Sequence, residues 1–202
     1  VAFIAAATIR VPAQTAAPQA AGPGFPDFSK ITNEQAFTDY VIKYRADLDA
    51  AVSRPWAERA LKELPVKFHA TKIAGVPVED FEPAGGVASS NKNRVLINVH
   101  GGGWIAGAVY LGRVESVPIA SFGKFRVVSI DYRQGYEHKF PAATEDVVAV
   151  YQALMKQYPV KNIGLYGCSA GGALTGQATA WMLDKKIPVP AAIGIYGSGL
   201  GT

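Results

Sequence analysis

The run Gly167-Cys168-Ser169-Ala170-Gly171 constrains the fold more than any other stretch of the chain. It lies between a short apolar run, 162–166, that predicts a strand, and an alanine-rich run, 170–183, that predicts a helix. In that setting Gly-x-Ser-x-Gly is typical of a tight turn that exposes a strained serine as a nucleophile, with only small residues tolerated two positions away. Ser169 is therefore the predicted catalytic nucleophile. The simpler interpretation is that Ser169 only caps the following helix.

A second glycine run, His100-Gly101-Gly102-Gly103-Trp104, follows the apolar run 95–99, which predicts a strand covered on both faces. A serine that attacks a carbonyl carbon leaves negative charge on the oxygen, and that charge needs N–H donors aimed at it. Glycines carry no side chain, so such a loop can bring its N–H groups close to the oxygen. Gly102 and Gly103, with Ala170 directly after the serine, are the predicted donors of an oxyanion hole. A flexible turn is the alternative.

From residue 94 onwards the predicted elements alternate. Apolar runs predict strands at 95–99, 125–130, 162–166 and 191–196, and the intervening amphipathic runs predict helices at 113–122, from 141 and at 170–183. This alternation predicts an α/β fold with a mostly parallel sheet and helices on both faces. Ligand sites of such sheets lie at the carboxyl ends of strands, and both glycine motifs fall there. The agreement between fold and motifs is stronger than either motif alone.

Side chains next to the two motifs have alternative interpretations. Cys168 could be a nucleophile in principle, but its position in the turn points away from the exposed tip, so a buried and inert thiol is expected. His100 could be taken for a general base, but we expect it, with Gly101, to support the site by holding the glycine loop through hydrogen bonds. Trp104 is expected to line or support the acyl pocket, with core packing as the alternative.

The chain before residue 66 divides into two predicted segments. Residues 1–31 hold a short apolar run followed by a Pro- and Ala-rich stretch, which suits both the remnant of a secretory signal with its linker and an ordinary N-terminal arm. Export and a cytoplasmic location therefore both stay open. Residues 32–65 predict two helices, the first opened by a capping box at Thr32–Gln35 and the second ended by Pro65. Two interpretations of these helices stay open: they form a lid over a site, or they only pack against the core domain.

Residues 66–202 form the predicted core domain. It opens with a half-buried strand, because Val66, Phe68 and Ala70 alternate with polar residues, and a partner strand follows at 76–81. A chain of 202 residues is long enough to bury a sizeable core as one domain.

Composition excludes several classes of protein. The net charge is +4 and the basic residues are scattered, so there is no electrostatic case for nucleic-acid binding. The single cysteine excludes an intrachain disulfide and a cysteine metal cluster, and the sequence indicates neither a metal nor a cofactor. No apolar run is long enough to span a membrane.

Taken together, the motifs resemble the hormone-sensitive-lipase-like family of α/β-hydrolases, the bacterial family IV esterases. The residues that carry the resemblance follow the family's order and spacing: His100–Trp104, Asp131–Arg133, Phe140–Ala143 with Glu145 and Asp146, and Gly167–Gly172. The resemblance implies the α/β-hydrolase fold with an N-terminal helical cap at 32–65, and a Ser–His–Asp carboxylesterase acting on small esters with short acyl groups. It also implies that Asp131, Arg133, Glu145 and Asp146 are a structural network beside the site.

The sequence departs from this family in two places. Gln134–His138 stands where the family usually has Leu-Ala-Pro-Glu-His, so the loop can differ in shape, and His138 is expected to be structural. In this hydrolase class an acid and then a histidine follow the serine, whereas the residues after Ser169 contain one acid, Asp184, and no histidine. We therefore expect the N-terminal part of a longer hydrolase, with little activity unless a second polypeptide supplies the remainder.

Two other functions remain open at this level. A hydrolase-fold binding protein would keep the glycine loop and pocket but lack the triad histidine. An amidase or a lactonase could use the same serine and oxyanion hole.

Overall fold

The computed structural model describes residues 28–199. Residues 1–27 of the predicted N-terminal arm lie outside the described residues. The first helix, α1 (Glu34–Leu48), begins where predicted, but its cap is Asn33 rather than Thr32, since the Asn33 side chain accepts the Ala36 N–H at 2.8 Å. A π-helical segment, Asp49–Ser53, joins α1 directly to α2 (Arg54–Glu63). The division of the chain into arm, cap and core stays a prediction.

Two antiparallel strands, β1 (Val66–Ile73) and β2 (Val76–Pro83), form the predicted hairpin. The expected half-burial of β1 is wrong, because β1 is the end strand of the sheet and only its first and last residues are partly covered. Phe68 stacks on Phe81 with ring centroids 5.3 Å apart, yet it remains 38% exposed. Alternation along a strand shows which residues share a face, but not whether a neighbouring layer covers that face.

The remaining elements confirm the predicted alternation. They are β3 (Val95–Val99), α3 (Tyr110–Gly123), β4 (Arg126–Ile130), α4 (Ala142–Met155), β5 (Ile163–Cys168), α5 (Ala170–Asp184) and β6 (Ala192–Tyr196). Six strands form one sheet in the order β1-β2-β4-β3-β5-β6, in which β3 to β6 run parallel and β2 pairs antiparallel with β4. The predicted fold class is therefore confirmed. Because β3 and β5 are neighbours, both glycine motifs emerge side by side.

Helices cover both faces of the sheet. Val95, Ile97 and Val99 of β3 belong to the core that includes α4 and α5, where the predicted stripe of α4 is fully buried: Val147, Val150, Tyr151 and Leu154. Leu96, whose side chain alternates with theirs, belongs to the core under α2 and α3. α2 thus packs on the sheet beside α3. The other helix of the predicted cap segment, α1, contacts the loops after β3 and β4.

Burial of the central strand predicts how stability is distributed. Leu165 of β5 is 1% exposed, whereas Leu183, near the end of α5, is 63% exposed. We expect Leu165→Ala to lower the free energy of unfolding by about 2–5 kcal/mol through lost burial and a residual cavity. Leu183→Ala, the same substitution at an exposed position, is the matched control and should cost about 1 kcal/mol or less. Urea unfolding of the intact natural protein measures both, and equal losses would contradict the layer assignment.

Candidate active site

Ser169 is the hinge between β5 and α5. It has φ 53° and ψ −124°, a positive φ that is costly for a residue with a side chain. Its N–H donates to the carbonyl oxygen of Tyr196 at 2.8 Å, which ties the turn to the adjacent end of β6. The serine is exposed at the carboxyl edge of the sheet. The backbone is therefore strained where the predicted nucleophile stands.

The glycines flanking Ser169 allow the turn to touch β3. A Cβ atom at Gly167 would lie 2.4 Å from the carbonyl oxygen of Val99, and one at Gly171 would lie 1.9 Å from the same oxygen. Both distances are far below van der Waals contact with a backbone atom that cannot rotate away. Glycine at these two positions is therefore a requirement of the packing between the Ser169 turn and the end of β3.

The glycine loop after β3 rests directly on this turn. A Cβ at Gly101 would lie 3.0 Å from the carbonyl oxygen of Cys168 and 3.4 Å from the Cβ of Ser169. Gly102 and Gly103 follow with φ 114° and 64°, and a Cβ at Gly102 would lie 2.1 Å from the carbonyl oxygen of Ala106. The structure thus places the first glycine of the loop beside Ser169, with little room for more than a hydrogen between them, and the next two in backbone conformations that side chains disfavour.

Each predicted oxyanion donor belongs to a peptide whose carbonyl accepts a hydrogen bond. The peptide carrying the Gly102 N–H has its carbonyl at Gly101, 2.7 Å from His100 Nδ1. The peptide of Gly103 has its carbonyl at Gly102, which accepts N–H bonds from Ile105 (3.2 Å) and Ala106 (3.0 Å). The peptide of Ala170 has its carbonyl at Ser169, which accepts the Ala173 N–H at 3.1 Å. Because a trans peptide is planar with N–H opposite C=O, these bonds fix the direction of all three N–H groups.

His100 is fully enclosed within this arrangement. Its Nε2 lies 3.2 Å from the side-chain nitrogen of Gln134, and its ring stacks on Tyr132 with centroids 4.4 Å apart. Burial lowers the pKa of His100 to about 4, so the ring is neutral near pH 7. A neutral ring that donates from Nδ1 to Gly101 and accepts at Nε2 from the Gln134 amide satisfies both contacts.

The loop 134–138, where the sequence departs from the family pattern, contacts the glycine loop from the other side. The Gln134 amide donates to Ala106 O at 3.0 Å, and the Gly135 N–H donates to Trp104 O at 2.7 Å. Arg45 of α1 forms a bidentate ion pair with Glu137 at 2.6 and 2.8 Å and donates to the carbonyl oxygen of Ile105. α1 is therefore tied to both loops.

Trp104 lines a cavity of about 230 Å³, which is smaller than the cavity of about 380 Å³ on the α3 side of the sheet. The residues around Trp104 in this smaller cavity include Ile105, Arg133, His138, Phe140 and Gln177. Trp104 is 41% exposed, which does not fit the alternative of core packing. A tryptophan at the rim of a cavity beside the glycine loop is the arrangement that the pocket interpretation requires.

The predicted charged network contains three of its four members. Arg133 binds Asp146 at 2.9 Å and Glu145 at 3.2 Å, and its backbone N–H also donates to Asp146 at 2.8 Å. Asp131 instead lines a separate cavity with Glu79 of β2, and its backbone N–H donates to Pro77 O on the same strand. Burial, with the nearby negative charge of Glu79, raises the pKa of Asp131 to about 6.

Cys168 is half-buried rather than buried as expected. It lines the larger cavity of about 380 Å³ on the α3 side of the sheet, together with Tyr166, Ile193 and Tyr196. Burial, with a smaller contribution from the negative charge of Glu115, raises the pKa of the thiol. A thiol held in its protonated form is a poor nucleophile, because the thiolate is the reactive species.

Between residues 28 and 199, no three or more His, Cys, Asp or Glu side chains lie together so that they could hold a metal ion. Over the same residues, no helix combines the length and apolar character needed to cross a bilayer.

Sequence reasoning did not identify Glu115 of α3. Its carboxylate accepts the Gly101 N–H at 3.0 Å and the Asn98 side-chain amide at 2.8 Å. The available signal is slight: Glu115 is the one charged residue in the stretch 114–123. The contact of Gln134 with His100 was also missed, because the loop 134–138 is not close to His100 in the sequence.

The parallel sheet, the strained serine after β5 and the glycine loop after the neighbouring strand define an α/β-hydrolase. A family model described as the alpha/beta hydrolase fold matches residues 96–201, a little more than half of the chain, and the chain belongs to this family. The acetyl-hydrolase of Streptomyces hygroscopicus is 36% identical over 100 residues, which cover 49% of this chain and 33% of that protein.

Solved structures give the same result. The chain is similar to the crystal structure of an esterase E25, with 27% identity and a TM-score of 0.68 over 85% of this chain and 52% of that one. It is also similar to an esterase from the bacterial hormone-sensitive lipase family, with 29% identity and a TM-score of 0.61 over 80% and 57%. The resemblance to the hormone-sensitive-lipase-like hydrolases is confirmed. The chain spans about a third to two fifths of the length of the curated relatives that it matches.

The contact between Gly171 and β3 can be tested by adding one methyl group. Within a helix Ala is favoured over Gly by about 1 kcal/mol, so Gly171→Ala should stabilise the protein if the site were open. We expect a loss of several kcal/mol instead, since the new Cβ would overlap the Val99 carbonyl. Gly85→Ala is the control, because a Cβ there meets nothing within 4 Å. Thermal unfolding of both variants decides, and a raised Tm for Gly171→Ala would contradict the described packing.

Proposed function

We propose that the natural protein containing this chain is a serine carboxylesterase that hydrolyses small esters with short acyl groups. Ser169 is the nucleophile in this proposal, and the N–H groups of Gly102, Gly103 and Ala170 form the oxyanion hole. The observation that carries the proposal is that the glycine loop rests on the strained serine turn while hydrogen bonds hold the carbonyls of all three donor peptides. Donors held before the reaction need no reorganisation when charge develops.

The proposed reaction follows from this arrangement. Ser169 Oγ attacks the ester carbonyl carbon, a C–O bond forms, and the carbonyl oxygen takes the electron pair of the broken π bond. The oxyanion then collapses: the C–O bond to the alcohol breaks, the alcohol leaves with a proton, and an acyl-serine remains. Water attacks the acyl-serine carbonyl in the same way, and the acid leaves as Ser169 regains its proton. The serine needs a general base that takes its proton and returns it to the leaving alcohol. His100 is not assigned this role, because both its ring nitrogens face groups of the supporting loops.

The cavity beside Trp104 is the proposed acyl pocket. Its volume of about 230 Å³ suits a small acyl group, and its rim belongs to the loop that carries the oxyanion donors. Support for an acetyl group comes from the relative in Streptomyces hygroscopicus, which is named an acetyl-hydrolase.

Chemical labelling tests the nucleophile. In the intact natural protein, an organophosphate ester should form one covalent adduct on Ser169, and Ser169→Ala should abolish both the adduct and the hydrolysis of p-nitrophenyl acetate. Cys168→Ser is the matched control on the adjacent residue and should retain the adduct. Peptide mass mapping locates the label, and a label on Cys168 would contradict the assignment. Hydrolysis of an anilide but not of the ester would indicate an amidase instead.

Substitution in the glycine loop tests the oxyanion hole. In Gly102→Ala the new Cβ would meet Ala106 O and displace the turn, so we expect kcat to fall by about 10²–10³-fold with little change in KM. Gly86→Ala is the control, because Gly86 also has a positive φ, 85°, but its Cβ would meet nothing within 4 Å. Steady-state kinetics with p-nitrophenyl acetate measures both, and equal kcat values for the two variants would count against the oxyanion hole.

A further inference from the structure

A carboxylate lies beneath the candidate site, on the side of the sheet covered by α3. Glu115 Oε1 accepts the backbone N–H of Gly101 at 3.0 Å, and Oε2 accepts the Asn98 side-chain amide at 2.8 Å. Cys168 lines the same cavity as Glu115, and its backbone N–H helps to lower the pKa of this carboxylate. Gly101 is the first residue of the glycine loop, and Cys168 immediately precedes Ser169. One side chain therefore binds the glycine loop and lies beside the serine turn.

The position of this carboxylate is itself fixed by neighbouring groups. Asn98 is fully buried in β3, and its Oδ1 accepts the hydroxyl of Ser129 in β4 at 3.0 Å. The hydroxyl of Tyr166 in β5 donates to the backbone carbonyl of Glu115 at 3.4 Å. Hydrogen bonds thus connect three adjacent strands to α3 through Glu115, and they leave its carboxylate little freedom to move.

A carboxylate at this place is costly unless its hydrogen bonds offset the cost. Burial raises the pKa of Glu115, and its bonds to Asn98, Gly101 and Cys168 act in the opposite direction by stabilising the charged form. These three donors are neutral N–H groups. An apolar residue would fill the same space without desolvating a charge, but it would leave buried N–H groups without an acceptor.

We propose that Glu115 is a positioning residue, which fixes the glycine loop relative to the serine turn. It holds the N–H of the peptide between His100 and Gly101, while the His100 ring holds the carbonyl of the next peptide, the one that carries the Gly102 N–H. Consecutive planar peptides held in this way have little freedom to rotate. The catalytic part of this inference rests on the proposed function.

The test replaces the carboxylate by an amide of the same shape. In Glu115→Gln of the intact natural protein, with the amide oxygen kept on the Gly101 N–H, the new NH₂ group faces the Asn98 amide donor, so the loop should shift. We expect kcat for p-nitrophenyl acetate to fall about 10–100-fold with KM nearly unchanged, because small displacements of a catalytic group cost this much. The double variant Asn98→Asp with Glu115→Gln restores a donor facing an acceptor, and it should recover at least about tenfold of the loss.

Glu79→Gln is the matched control. Glu79 is also a largely buried carboxylate that binds α3, through an ion pair with Arg113 at 2.6 Å, but it does not contact the glycine loop. Its replacement should lower the Tm while changing kcat by less than about twofold.

A second measurement does not depend on catalysis. In ¹H–¹⁵N spectra, Glu115→Gln should shift the amide signals of Gly101 and Cys168, and Glu79→Gln should leave them in place. Shifted amides together with a kcat loss specific to Glu115→Gln support the inference. If the unsubstituted protein hydrolyses no ester, the proposed function fails, and shifted amides still support the positioning of the loop. Amides that stay in place, or a kcat loss no larger than that of Glu79→Gln, would overturn the inference.

Discussion

The site depends on one close approach, that of the Val99 carbonyl oxygen to the turn around Ser169. This oxygen lies where a Cβ at Gly167 or Gly171 would have to be. β3 and β5 are parallel neighbours whose ends lie at the same edge of the sheet. The glycine loop after β3 and the Ser169 turn after β5 therefore lie very close together. Glycine at 167 and 171 leaves room for this contact, but it loses more conformational entropy on folding than other residues do. The candidate site is therefore a consequence of strand order as much as of motif.

The glycine loop after β3 has a defined conformation although its sequence is flexible. A run of glycines has no side chains with which to fix its own conformation, so neighbouring groups must do so. His100 binds the Gly101 carbonyl, Gln134 binds the Ala106 carbonyl and Arg45 binds the Ile105 carbonyl. These groups come from the end of β3, from the loop after β4 and from α1. Orientation of the N–H groups is thus imposed by several elements distant in sequence, which gives electrostatic preorganisation a structural basis.

Features that depend on local sequence could be predicted, whereas features that depend on elements distant in sequence could not. The alternation of strands and helices and the stripe at Val147–Leu154 follow from local periodicity, and the structure confirms them. The exposure of β1 could not be predicted, because it depends on which strand ends the sheet. The position of Glu115 also depends on how α3 lies across β3. Asn98, the one polar residue in the apolar run 95–99, was the local sign that a polar group had to face it.

His100 and Glu115 offer a final contrast in how buried groups support the loop. Both are desolvated, which lowers the pKa of the imidazole and raises that of the carboxyl. The imidazole responds by being neutral, and a neutral ring can donate at Nδ1 while it accepts at Nε2. The carboxylate can only accept, and the groups it meets, Gly101 N–H and the Asn98 amide, only donate towards it. The neutral imidazole of His100 can therefore donate to a backbone carbonyl, and the carboxylate of Glu115 can accept from a backbone N–H.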